Sequence, residues 1–531
     1  MSGFGNTQSP DVEDSAVDEL TLPEMLNVTT AYVDANIAAG RGGKTAFFYG
    51  DQQITYQDVL AQVNRTGNAL RALGLDLEQR VALLLLDGPE FVYSFFGAIK
   101  IGAVAVPMNT LLRPADYAYL LNDSRARALI VSAALLPQIE AIRSDLTYLR
   151  HIIVVGNAGP YLSYHRLLAE ASSTLEAAPT HRDDMAFWLY SSGSTGFPKG
   201  AVHLHHDMLY VSDLVGKQVL QITEADRAFS AAKLFFAYGL GNTMYIPMRF
   251  GASAVLLPDR PTPEAVFATI TRYRPTIFYG VPTLYAQMLQ VEDAPSRYDL
   301  SSLRLCVSAG ESLPPEIFRR WHERFGLEIC DMIGSTEALY VFIGNRPGRI
   351  RVGSTGEVLP GFEARVIDDD GREVAPDAVG TLLVRGDSTS PFYWNKHRKS
   401  QQTMLGDWLN TGDKFRRDAE GFYWYAGRTD DMLKVGGIWV SPIEIENTLL
   451  EHQAVLEAAV VGAEDNDALV KPKAYVVLRQ GHSASPQLAT ALQDFVKNKI
   501  APYKYPRWIE FLDELPKTAT GKIQRFKLRE L

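Results

Sequence analysis

Apolar residues return at Val59, Leu60, Val63, Ala69, Leu70 and Leu73, between Thr55 and Gly74, and this spacing predicts an amphipathic helix. VALLLL at 81–86 is a continuous apolar run and predicts a buried strand. A helix over FVYSFFGAIKIG and a short strand at VAVPM follow, and ALIVS and HIIVV repeat the strand pattern. The alternation resumes with SAVLL, a helix from Pro263, TIFYG, a helix over TLYAQML, and LRLCVSAG closed by Gly310 and Glu311. Strands alternating with helices predict an α/β fold with largely parallel sheets. In such sheets ligands gather beyond the carboxyl ends of strands, where residues 308–312 and 334–337 would lie.

From about residue 352 the pattern breaks into short strands separated by turns, with DDDG at 368–371 as a hairpin loop. This predicts a small β-rich, barrel-like subdomain. The three aspartates have a metal-site alternative, but contiguous acids beside Gly371 favour a solvated turn. Beyond GRTDD at 427–431 lies a unit of small-domain size: KVGG, a helix over 442–451, strands EAAVVG and KAYVVL, a helix near 487–500, and PKTATGKIQR. The expected division is a flexible tail over 1–20, a large N-terminal domain over 21–429, and a small mobile α+β C-terminal domain over 430–531.

Composition narrows the function. The chain has 531 residues, 46% hydrophobic and 21% charged, with a formal charge of −10 that offers no broad basic field for nucleic acid. Small-molecule partners are expected. Cys306 and Cys330, the only cysteines, stand among apolar neighbours and are read as buried thiols. The acidic, polar start lacks an export signal and no apolar run is clean enough to span a membrane, so the expected location is cytoplasmic.

The densest chemistry is YSSGSTGFPKG at 190–200. Gly193 and Gly196 allow backbone amides to turn inward. Ser191, Ser192, Ser194 and Thr195 add hydroxyls, and Lys199 adds a mobile cation. That inventory suits a polyphosphate, although Pro198 and Gly200 flank the lysine and the loop is not the common P-loop.

Together with IGSTE (333–337), TGD (411–413), GRTDDMLKVGG (427–437) and PKTATGKIQR (516–525), this loop resembles the acyl-adenylate-forming superfamily. FFAYGLGN (235–242) and APYKYPR (501–507) are most similar to benzoate-CoA and hydroxybenzoate-CoA ligases, enzymes that join an aromatic carboxylate to coenzyme A. The resemblance implies ATP, Mg²⁺ and CoA as the other participants, a role in aromatic compound degradation, and leaves a homodimer open.

It also implies roles by position. Residues 191–196 and Lys199 would grip the β- and γ-phosphates; Thr195 and Glu337 would hold Mg²⁺, and Thr336 would meet the α-phosphate. Gly310, Glu311, Ser312 and the segment of Asp331, Ile333, Gly334 and Ser335 would wall the adenine. Asp413 would accept from the ribose hydroxyls, with Arg428 close by. Lys522 would be the catalytic lysine, placed between carboxylate and α-phosphorus. Asp430 would be the hinge that brings Lys434, Gly436 and Gly437 to the CoA thiol. Phe236, Ala237, Tyr238, Gly239 and Gly241, with Leu339 and Tyr340, would form the acyl slot.

Read without the resemblance, the aromatic-and-glycine stretch at 235–242 is also compatible with a strand end. Tyr340 departs from the histidine common at its place and adds bulk and a hydroxyl able to bond a ring substituent, which keeps hydroxy-, amino- and methylbenzoates open beside benzoate. His203, His205 and His206 have no cysteine or carboxylate at metal-ligand spacing and are read as structural. Three functions remain in view: an aryl-CoA ligase, an adenylating enzyme that loads a carrier protein, and a non-catalytic adenylate sensor.

Overall fold

A computed structural model describes residues 20–191, 198–429, 431–435, 438–465, 469–517 and 523–531. The predicted helix spans Tyr56–Ala72. Thr55 Oγ1 accepts from the Asp58 amide at 3.1 Å while the Thr55 amide donates to Asp58 Oδ2 at 2.9 Å, a reciprocal cap that satisfies two otherwise orphaned donors. It packs on the helix Pro89–Lys100, which is apolar almost all round because it is buried on every side. At their crossing, a Cβ on Gly97 would stand 2.8 Å from Thr66 Cβ, so only glycine admits this approach.

Two sheets flank these helices. One has seven strands in the order Leu162–Ser163, His151–Val155, Ala128–Ser132, Arg80–Leu84, Val104–Pro107, Met185–Ser191 and Lys199–Leu204, parallel except for the last pair. The other has nine, running from Glu357–Val358 to Gln52–Thr55, parallel through its middle and antiparallel at both edges. In the second sheet Leu305–Ser308 lies parallel beside Ile329–Gly334, with Ser308 opposite Asp331, so both strands deliver their following loops to one edge. Cys306 and Cys330 are buried there, as expected, and burial pushes both thiols up to about 12.

A five-stranded antiparallel sheet, Glu363–Ile367 to Tyr423–Arg428, forms the β-rich part, and Asp368–Gly371 is a turn. The C-terminal α+β domain pairs Val455–Glu464 with Val470–Leu478 and Trp508–Phe511, backed by helices Pro442–Leu450 and Pro486–Lys499 over hydrophobic clusters of its own. Its first helix packs on strand Tyr423–Arg428, where Ser441 Oγ donates to the Ala426 carbonyl at 2.5 Å.

Candidate active site

Strand Met185–Ser191 ends at Ser191 and the chain returns antiparallel from Lys199, with Ser191 and Lys199 directly opposed. Residues 192–197 lie outside the described residues, so the expectations for Ser192, Gly193, Ser194, Thr195 and Gly196 rest on sequence. One flank of that loop meets Glu337 directly and the other through Tyr393. Ser191 Oγ donates to Glu337 Oε1 at 3.1 Å, and Tyr393 donates to the same oxygen at 2.7 Å. Lys199 Nζ donates to the Tyr393 hydroxyl at 3.4 Å and lies 4.4 Å from the centre of its ring. Burial lowers the Lys199 pKa from the usual lysine value, against the pull of the Glu337 carboxylate.

Glu337 is carried by a tight turn between antiparallel strands Ile329–Gly334 and Val341–Gly344. The Ser335 amide donates to the Tyr340 carbonyl, the Ala338 amide to Ser335 Oγ, and the Leu339 amide to the Thr336 carbonyl, at 3.3, 3.1 and 3.1 Å. Leu339 takes φ +67°, a costly conformation for a branched side chain, and its complete burial holds it there. The Thr336 carbonyl also accepts from His203 Nε2 at 2.8 Å, while His203 Nδ1 lies 2.8 Å from Asp207 Oδ2.

The expectation that no carboxylate partners the histidine cluster is therefore wrong. Asp207, one helical turn beyond His203, completes a buried pair beneath the turn. His205 Nδ1 accepts from the Val28 amide at 3.1 Å, and His206 meets the carbonyls of Arg182 and Asp387. All three act as internal ties.

The loops expected around a base lie together. Gly310 and Ser312 flank Glu311, whose Oε2 accepts from Thr283 Oγ1 at 2.8 Å. Burial holds the Asp331 carboxyl well above the usual carboxylate range, and its Oδ1 has no partner among the described residues. Asp413 and Arg428 sit opposite each other on adjacent strands, with Arg428 Nη1 3.1 Å from Asp413 Oδ1 and donating at 3.1 Å to the Thr411 carbonyl. Asp413 is buried and Arg428 exposed, so the carboxylate is presented from a fixed wall.

Residues 237–249 are a continuous helical run rather than a strand end: Ala237–Leu240, Gly241–Tyr245 and Ile246–Arg249, with Phe236 as the first cap. Tyr238 meets Tyr279 edge to face at 6.2 Å. The Tyr340 ring lies against Gly241, where a Cβ would come within 2.9 Å of it. Its hydroxyl donates to Asn242 Oδ1, a partner within the chain that the sequence reading did not name. Asn242, absent from the sequence reading of the slot, is fully buried, and its Nδ2 has no hydrogen-bond partner among the described residues.

Asp430, Gly436, Gly437, Lys522 and the Lys434 side chain lie outside the described residues, and their roles remain expectations from sequence.

The family model described as AMP-binding enzyme matches residues 35–394, and that of the AMP-binding enzyme C-terminal domain matches 444–522. The chain belongs to the AMP-binding enzyme family. Within it, this AMP-binding enzyme is one of the benzoate-CoA ligase group. It is 52% identical to the benzoate–CoA ligase of Thauera aromatica, over 96% of this chain and 97% of that protein. It is 46% identical to the 4-hydroxybenzoate–CoA/benzoate–CoA ligase of Rhodopseudomonas palustris, over 95% and 94%. Among solved structures, the anthranilate CoA ligase AuaEII in complex with anthranoyl-AMP superposes with TM-score 0.93 at 48% identity, covering 96% of this chain and 98% of that one. A benzoate CoA ligase from Burkholderia xenovorans LB400 superposes with TM-score 0.89 at 46% identity, over 95% and 100%.

The AMP-binding enzyme's residues fit a magnesium nucleotide. No group of three or more His, Cys, Asp or Glu side chains among the described residues could hold a metal ion alone. Mg²⁺, however, commonly binds through one or two carboxylates plus substrate phosphates, and the Glu337 carboxylate is a group of that kind. The buried, unpartnered Oδ1 of Asp331 is an acceptor at the edge expected to wall the base. Among the described residues no helix is long and apolar enough to cross a membrane.

Proposed function

We propose that this AMP-binding enzyme is an ATP-dependent aryl-CoA ligase acting on benzoate or a hydroxy-, amino- or methylbenzoate. The acid attacks the α-phosphorus of ATP, pyrophosphate leaves, and the acyl-adenylate is then taken by the thiol of coenzyme A, releasing AMP. The reaction class is acid–thiol ligation, and Mg²⁺ supplies charge neutralisation between the phosphates.

The first step brings two anions together, so its chief demand is positive charge and directed donors where negative charge builds. In this reading Lys199 and the loop over 191–196 take the β- and γ-phosphates. Glu337 and Thr195 hold the cation, Thr336 faces the α-phosphate, and Asp413 beside Arg428 fixes the ribose. Gly310, Glu311, Ser312 and the segment of Asp331, Ile333, Gly334 and Ser335 enclose the base. The slot formed by Phe236, Ala237, Tyr238, Gly239, Leu339 and Tyr340 takes the ring; its alternation of bulky and minimal side chains suits a flat aromatic acid.

Lys522 supplies the cation at the reacting centre in the first step. The C-terminal domain, read as 430–531, then turns about Asp430, so that Lys434, Gly436 and Gly437 replace it for the second. A hinge needs only to absorb a backbone change. The enzyme is read as cytoplasmic.

One observation carries the reading. Ser191 and Glu337, 146 residues apart, meet at 3.1 Å, and Lys199 is drawn to the same corner through Tyr393. Exchange of labelled pyrophosphate into ATP, dependent on an aromatic acid and independent of CoA, tests it; the absence of exchange with every benzoate tried would refute it.

A further inference from the structure

Lys199 and Glu337 carry opposite charges in a half-buried corner, yet no carboxylate of the described residues comes within 4.0 Å of Lys199 Nζ. Two such charges at about 4 Å would attract by about 4 kcal/mol at an effective dielectric of about 20, so their separation needs a cause. Tyr393 provides it. Its hydroxyl accepts from Lys199 at 3.4 Å and donates to Glu337 Oε1 at 2.7 Å, while its ring face receives the ammonium at 4.4 Å from the centroid.

The tyrosine is held firmly. It is 3% exposed, its amide donates to Ser400 Oγ at 3.0 Å, and it pairs with Ala201 across an isolated bridge. The backbone is tied on the other side as well, the Ser390 amide donating to the Glu337 carbonyl at 2.6 Å.

We propose that Tyr393 is a positioning residue that stands between Lys199 and Glu337, keeping the ammonium available to phosphate oxygens and the carboxylate available to the divalent cation. This rests on the roles given to those two residues above. A collapsed pair would have to be broken each time a magnesium nucleotide enters; the spacer removes that cost in advance.

The test uses the full-length Tyr393→Phe and Tyr393→Leu variants. The readouts are the Mg²⁺ dependence of benzoate-dependent ATP–pyrophosphate exchange, the transfer of supplied benzoyl-adenylate to CoA, and the melting temperature. Phe keeps the ring and loses the hydroxyl, so the Mg²⁺ concentration for half-maximal exchange should rise about 3- to 10-fold, with the maximal rate within about 3-fold. Leu loses the spacer, so exchange should fall about 30-fold or more at any Mg²⁺ concentration, while adenylate transfer stays within about 2-fold in both variants.

An unchanged Mg²⁺ requirement in Tyr393→Phe, or equal losses in both half-reactions, overturns the proposal. If Tyr393→Leu does not fold, Tyr393→Phe decides alone. Glu337→Gln separates the two levels. If it leaves the Mg²⁺ requirement unchanged, the role of Glu337 fails and the proposal with it. If it shifts that requirement and Tyr393→Phe does not, only the role of Tyr393 fails.

Discussion

The His203 imidazole joins Asp207 to the Thr336 carbonyl, with contacts of 2.8 Å on each ring nitrogen. Strand Lys199–Leu204 is thereby fastened to the turn that carries Glu337, and the ring stacks on Phe187 at 5.1 Å as it does so. Two segments separated by 133 residues are thus tied by one hydrogen bond.

His203→Ala is expected to unfasten them. It removes the donor to Thr336 and one of the contacts to the buried Asp207, which keeps the Leu204 amide and His206, at a cost of about 1–3 kcal/mol for the buried group left short of a partner. Benzoate-dependent pyrophosphate exchange should fall about 10- to 100-fold because the turn is no longer fixed. His203→Gln, which keeps one donor, should recover most of the exchange, and comparing the two rates checks the assignment.

Gly412 has φ +72°, and a Cβ there would lie 3.0 Å from Arg428 Nη2. Gly412→Ala should therefore cost about 1–2 kcal/mol of backbone strain and push Arg428 off Asp413. A rise of about 5- to 20-fold in KM for ATP is expected, with KM for the acid unchanged, because Asp413, proposed for the ribose, loses its Arg428 partner while the proposed slot is untouched.

Tyr340→Phe removes the donor to Asn242 and leaves a buried amide oxygen unsatisfied, at about 1–3 kcal/mol. The ring and its contact with Gly241 persist. A lower melting temperature and altered KM values across a panel of substituted benzoates are expected, with KM for ATP and CoA unchanged. Equal KM values for every acid in variant and parent would place Tyr340 outside the slot.

His205 is buried, and desolvation, partly offset by Asp184, lowers its pKa from the usual histidine value of 6.5 to about 4. A ring kept neutral in the fold stabilises fully above pH 6.5, and that contribution is lost as pH falls toward 4, up to about 3 kcal/mol. Asp87 works in the opposite sense: burial raises it to about 6, and its contribution is lost as pH rises from 3.8. The two overlap, so the informative quantity is a difference. His205→Asn keeps an acceptor for the Val28 amide and cannot titrate; its stability relative to the parent should improve steadily between pH 6.5 and 4.

Local signals carried much of this architecture. The helix Tyr56–Ala72 has its cap at Thr55 and its apolar stripe in plain view, and the strands His151–Val155 and Ala128–Ser132 are short apolar runs that contain Ile and Val. The loop before Lys199 was read from its residue types together with the other motifs, and residues 192–197 lie outside the described residues. Contacts across the chain were not legible. Nothing near Tyr393 foretells a bond to a carboxylate 56 residues earlier, and Tyr340 finds its acceptor 98 residues away. The helical run over 237–249 was ambiguous because short apolar stretches carry no decisive period. Asp207 was in reach: four residues after His203, it needed only the step from strand to helix that brings the two side chains together.

The most direct test of the account is the product balance when the purified chain is given benzoate, ATP, Mg²⁺ and CoA. The account predicts benzoyl-CoA, AMP and pyrophosphate in equal amounts, with benzoyl-adenylate as the enzyme-bound product when CoA is left out. ADP and phosphate as the nucleotide products, or adenylate that persists unconsumed in the presence of CoA, would contradict it.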